Sequence, residues 1–117
     1  MELDYKLEEY RSIPLIKLAG RFDAEAAAFV KGQISNLVSE EHPNLLVEMS
    51  QVSFVDSLGL AALVSGLKLC RKNRGSLILV GIQPQVRNLF EITRLDQAFE
   101  LYDDIESAQK ALSQNQE

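Results

Sequence analysis

The side chains best placed for chemistry are few: one histidine, His42, one cysteine, Cys70, and a serine, Ser57, in the step Val55-Asp56-Ser57-Leu58-Gly59-Leu60 between two apolar runs. Nothing in the spacing brings His42, in the loop-like run EEHPN, to Ser57, and a serine without a base beside it is no activated nucleophile. No cluster has metal-ligand spacing, and GLKLCRKNRGS lacks the spacing and the Lys-Ser/Thr of a phosphate loop. An enzyme is therefore not expected, nor a metal or other cofactor. Cys70, alone in an apolar stretch, reads as a small core residue with no disulfide partner.

Ser57 keeps two roles open. A serine before an apolar helix is an N-cap, satisfying backbone N–H groups that have no partner inside the helix. The same place favours negative charge, so a phosphate on Ser57 could accept those N–H groups without breaking the fold. Gly59 leaves room for another backbone to approach, and Leu58 and Leu60 on either side offer a partner something apolar to bury.

The elements that must position this step follow from periodicity. Leu3 to Glu8 alternates weakly and pairs, as an edge strand, with the β-rich run at 12–20. Asp23 caps a helix whose buried stripe is Ala27, Val30, Ile34, Leu37 and Val38, and EEHPN stops it. The nearly continuous apolar run at 44–50 predicts a strand buried on both faces, followed by a loop to residue 55. A helix from near Leu58 presents Leu60, Leu63, Val64 and Leu67 inward with Ala61 and Cys70 adjoining, and closes on cations and on Gly75, suited to the turn after it. A buried strand at 76–82 comes next. Pro84 then opens a short helix through Val86, Leu89, Phe90 and Ile92, a brief strand covers Phe99 to Tyr102, and Ile105, Ala108 and Leu112 stripe a last helix starting near Asp103 or Asp104. This order predicts an α/β fold of about four helices, with a mostly parallel central sheet and an antiparallel edge from the first strand.

At 117 residues and 46% hydrophobic, the chain suits one domain over 1–117, with an ordered core at about 3–112 and a flexible polar tail at 113–117. A net charge of -5 argues against nucleic acid as a direct partner. The apolar runs are too short for membrane insertion and MELDYKLEEY does not read as a signal peptide, so a cytoplasmic protein is expected.

Phe54-Val55-Asp56-Ser57-Leu58-Gly59-Leu60, after a buried strand and before an apolar helix, resembles the phosphorylation-site signature of the STAS domain, as in bacterial anti-sigma factor antagonists. Gly20-Arg21-Phe22-Asp23 is similar to that family's Gly-x-x-Asp turn after its second strand, and the element order agrees from about Leu3 to Leu112. The resemblance implies a stand-alone regulator of transcription that is a kinase substrate. In it the unmodified protein binds an anti-sigma factor that is also a serine kinase of the histidine-kinase-like ATPase fold; phosphorylation of Ser57 releases that partner, and a metal-dependent serine phosphatase resets the switch. Asp23 and Asp56 become acidic neighbours of the acceptor, and together with Ser57, Leu58, Gly59 and Leu60 they form the implied partner surface. Three departures from the pattern stand out: Leu58 replaces a common second serine, Ala26 and Ala27 stand where a threonine is frequent, and Glu48 replaces an aspartate or asparagine. The same resemblance allows an alternative, an accessory subunit docking on the ATPase or permease of a membrane transporter.

Overall fold

Pairing starts with a hairpin. In the computed structural model, which describes residues 1–115, β1 (Leu3–Tyr10) and β2 (Ile13–Phe22) run antiparallel, with Leu3 opposite Gly20 and Tyr10 opposite Ile13. Register sets Lys6 against Lys17, a like-charge pair relieved by Glu8, whose carboxylate lies 3.1 Å from the Lys17 ammonium and 3.9 Å from that of Lys6. The two loop residues, Arg11 and Ser12, have φ of 49° and 70°. Such mirror-image turns match the twist of the strands, at a steric cost for residues that carry a Cβ.

After β2 every strand is parallel to the one before it. After β2 come α1 (Ala24–Leu37), β3 (Leu45–Val55), α2 (Ser57–Lys72), β4 (Leu77–Val80), α3 (Pro84–Ile92), a 3-10 turn at Leu95–Gln97, β5 (Glu100–Tyr102) and α4 (Ile105–Asn115). The sheet order is β1-β2-β3-β4-β5, antiparallel only between the first two, as the alternation of strand and helix predicts. Helices α1, α2 and α3 cover one face, where Phe22, Val30, Ile34, Leu63, Leu67 and Phe90 join the main core. On the other face Ala108 and Leu112 of α4 pack on Leu15, Leu46, Ile78 and Val80. Among the described residues no helix is long and apolar enough to cross a membrane.

Several local expectations are corrected. β3 does not end at residue 50; it continues to Val55, and its ladder with β2 shifts register between Lys17 and Ala19 and again between Gly20 and Arg21. Each shift admits an extra residue on β3, so its helix-facing side chains run Leu45, Val47, Met49, Val52 and Val55, and the broken period of two disguises strand as loop. Likewise Gly20 lies inside β2 rather than in a turn after it. Its φ of +108° and its contact with the Glu2 carbonyl leave no room for a Cβ. At the end of α2 it is Arg74, not Gly75, that takes the left-handed conformation, with φ 67°. Arg74 N–H donates to the Arg71 carbonyl and Gly75 N–H to that of Cys70, the paired closure of a Schellman motif. Gly75 is required instead by its closeness to Pro43. Ala61 is exposed, and Ala62 takes its place in the core. Ile92 is 72% exposed rather than part of the α3 stripe. β5 begins one residue after Phe99, which is buried beside Phe90. Asp104 caps α4, its carboxylate accepting from Ser107 N–H at 2.7 Å, and that bond holds its acid below the usual carboxylate range. Of the expected tail at 113–117, the first three residues fall within α4 and the last two lie outside the described residues.

Two measurements check this packing. Replacing Arg11→Asn with Ser12→Gly places residues that tolerate positive φ in the hairpin loop and is expected to raise stability by about 1 kcal/mol, read as a higher urea midpoint at unchanged slope. Cys70 is buried in the core and burial pushes its thiol up to about 12. At pH 8 a disulfide reagent should therefore modify Cys70 only as the chain opens, with a rate that climbs steeply with urea, whereas a surface thiol would react at once.

Candidate functional site

Two helices begin side by side at one end of the sheet. Phe22 and Val55 are partners in the β2–β3 ladder, and each is followed at once by an aspartate that caps a helix, Asp23 for α1 and Asp56 for α2. The Asp23 carboxylate accepts from Ala26 N–H at 3.2 Å. The Asp56 carboxylate accepts from Leu58 N–H at 3.0 Å and from Gly59 N–H at 2.9 Å through the same oxygen. Both caps have extended backbone, as a residue entering a helix must.

The cap of α2 is thus Asp56, and Ser57 is the first residue of the helix itself. This corrects the expectation that Ser57 does the capping. Ser57 is exposed, and among the described residues its hydroxyl has no hydrogen-bond partner. A second expectation changes with it. The amides of Leu58 and Gly59 belong to the Asp56 carboxylate and that of Leu60 donates to the Asp56 carbonyl at 3.0 Å, so a phosphate on Ser57 would find only Ser57's own N–H unclaimed in the first turn.

Of the apolar residues in the step, only Leu58, 54% exposed, faces outward. Leu60 is 7% exposed and belongs to the core, so it is corrected from a partner contact to a structural residue. Gly59 is also buried, and the backbone it lets close is the chain's own. A Cβ there would lie 2.5 Å from the Phe22 carbonyl oxygen and 3.1 Å from the Val55 side chain. The same Phe22 carbonyl accepts Asp56 N–H at 3.2 Å.

One further pair borders the step and had no signal in the spacing. Arg21 and Phe54 are ladder partners, one place before Phe22 and Val55, and the Arg21 guanidinium lies 4.1 Å over the Phe54 ring. Arg21 also reaches the Glu2 carboxylate at 3.6 Å. Only the register of two strands distant in sequence reveals this cation on a ring beside the two aspartates. Glu48 lies further back on β3 and is turned onto its own strand, its carboxylate accepting Ser50 N–H at 3.1 Å. His42 sits in a turn closed with Ser39, before the opposite end of β3. The length of that strand separates it from Ser57 by roughly 30 Å, far beyond the reach of a base.

Residues 4–108 match the STAS domain family. An anti-sigma-B factor antagonist of Listeria monocytogenes is 34% identical over 86 residues, covering 74% of this chain and 75% of the relative. The anti-sigma-B factor antagonist of Bacillus subtilis is 27% identical over 95 residues, 81% of this chain and 86% of its own. Among solved structures, an anti-sigma factor antagonist from Mycobacterium paratuberculosis superposes with a TM-score of 0.84 at 25% identity, over 95% of this chain and 94% of that one.

The assignment of the cap separates three substitutions by thermal or urea unfolding. Asp56→Ala is expected to cost about 1 kcal/mol, whereas Ser57→Ala should change stability by no more than about 0.5 kcal/mol. Gly59→Ala must push α2 off the Phe22 carbonyl and should cost about 2 kcal/mol or more. Equal losses for Asp56→Ala and Ser57→Ala would return the cap to the serine.

Proposed function

The chain belongs to the STAS domain family, and from that premise we propose that it is an anti-sigma factor antagonist whose hold on its partner is switched by phosphorylation of Ser57. The observation that carries this reading is the setting of the hydroxyl: exposed, without a partner among the described residues, and beside the outward-facing Leu58 on a helix turn held rigid by Asp56. The names of the relatives supply the partner class, an anti-sigma factor. In this reading the anti-sigma factor is also the serine kinase, of the histidine-kinase-like ATPase fold, and a metal-dependent serine phosphatase restores the unmodified form. The protein is a substrate and a binding partner, acting in the cytoplasm.

The electrostatics support release by charge rather than by refolding. A phosphoserine adds about -1.5 to -2 charges near neutral pH. On Ser57 that charge sits next to Asp56 and in the neighbourhood of Asp23, on a chain already at -5. Because Asp56 has claimed the Leu58 and Gly59 amides, the helix start has little left to neutralise the phosphate, which projects toward the partner. Burying it unpaired would cost several kcal/mol, and each ~1.4 kcal/mol weakens binding tenfold. The fold around the site need not move, since the caps and the Phe22 contact do not involve the serine hydroxyl.

The test uses wild type, Ser57→Ala and Ser57→Glu as baits in lysate of the native host, with bound proteins identified by mass spectrometry and each bait checked for folding by circular dichroism. Wild type and Ser57→Ala should hold an ATPase of the kinase type, and Ser57→Glu should hold less of it. The captured ATPase with ATP should then phosphorylate wild type and leave Ser57→Ala unlabelled. Equal capture of a transporter subunit by all three, or equal labelling of Ser57→Ala, would overturn the reading.

A further inference from the structure

A groove runs between α1 and α2 from the Ser57 end of the sheet downward. Its upper half is lined by Leu58, Ala61, Ala24 and Ala28, all of them exposed. Lys31 borders this half and the next, where Lys68 and Lys72 join it across the groove. None of these three lysines is in an ion pair among the described residues, and no acidic side chain lines either half. Glu40 borders Lys72 outside the groove, and Asp23 and Asp56 cap the two helices above its upper end. Lys72 lies in the last turn of α2, where a cation complements the helix dipole. That account extends neither to Lys68, a turn further into α2, nor to Lys31, in the middle of α1.

Three unpaired cations gathered on one strip of a chain with net charge -5 select for an acidic partner. We propose that the groove between α1 and α2 is a docking site for an acidic amphipathic helix of a partner protein. The shape favours a helix: two adjoining helices present a trough, and the alanines on its rim let a third backbone approach. Leu58 and the alanines meet an aliphatic stripe at the upper end, and carboxylates flanking that stripe meet Lys31, Lys68 and Lys72 lower down. From Leu58 to Lys72 the trough is about 20 Å long at the rise of an α-helix, which matches about 14 residues of occupant. This goes beyond the switch at Ser57, since the serine hydroxyl takes no part; Leu58 alone is shared.

The probe is a labelled helical peptide of about 14 residues with a Leu/Ala stripe and flanking glutamates, alongside its Glu→Gln and Glu→Lys versions. Anisotropy gives affinity, and amide shifts in the isotope-labelled protein give position. The glutamate peptide should shift amides within 24–35 and 58–72 and bind at least about five-fold more weakly when salt rises from low to high concentration. Lys31→Glu with Lys68→Glu should weaken it about ten-fold or more, whereas Lys6→Glu with Lys110→Glu, an equal charge change elsewhere, should change it less than about two-fold. If the reversed pair fails to fold, Lys31→Ala with Lys68→Ala is compared instead with Lys6→Ala with Lys110→Ala, and the charge removed from the groove should weaken binding more than the same charge removed elsewhere. Absence of binding, equal binding of the Glu→Gln peptide, shifts outside the groove, or equal loss in both reversed pairs would overturn the proposal. So would groove shifts that appear on concentrating the protein alone, which would make a second copy the occupant. Every variant retains Ser57, so failure here leaves the labelling of Ser57 to be decided separately.

Discussion

At the end of β2 the carbonyl of Phe22 accepts Asp56 N–H at 3.2 Å, and a Cβ on Gly59 would lie 2.5 Å from the same oxygen. A buried backbone acceptor has to be satisfied, and here its donor is the residue that caps α2. The strand that ends in Phe22, the strand that ends in Val55 and the helix that follows are therefore locked at one point. Asp56 closes the arrangement by taking the Leu58 and Gly59 amides. Ser57 is the residue left over: its backbone begins the helix and its hydroxyl faces out. A site that presents one side chain from a fixed turn is suited to modification and contact, and less suited to chemistry that needs several groups to converge.

The charges around this point divide into two regions. Two aspartates with capping duties stand at the helix starts, with the Arg21 guanidinium over the Phe54 ring close by. Further down the same pair of helices, Lys31, Lys68 and Lys72 make a positive strip. The helix dipoles favour this polarity, carboxylates at the starts and cations toward the ends, so the pattern stabilises the fold before any partner arrives. Lys31 and Lys68, away from the last turns of their helices, are the exceptions that the dipole does not explain.

Legibility of the fold followed burial. β4 is buried on both faces and its apolar run announced it, and α1 and α4 showed their stripes at helical spacing. β3 was only half readable, since its two register shifts move the inward residues from a spacing of two to a spacing of three. Glycines were visible but their reasons were not. Gly20 and Gly59 exist for close approaches to Glu2 and Phe22, and the turn after α2 is made by Arg74 although Gly75 is adjacent. Of the residues singled out around the acceptor, Asp23 and Asp56 come together at adjacent helix starts, Leu58 faces out, and Gly59 and Leu60 turn inward.

Hydrophobic period and short polar motifs are local properties, so the order of elements, the parallel sheet with its antiparallel edge, and the family through the Asp56-Ser57-Leu58-Gly59 step could all be read along the chain. Which of two neighbouring residues caps α2, which leucine is available to a partner, and the meeting of Lys31 with Lys68 and Lys72 in one groove emerge only from the folded arrangement. Those questions depend on how residues distant in the chain are brought together across the β2–β3 ladder and the α1–α2 contact. A one-residue difference in where a helix begins moves a hydroxyl from bonded to free, and that position is set by the Phe22 carbonyl, which no pattern within 52–64 contains.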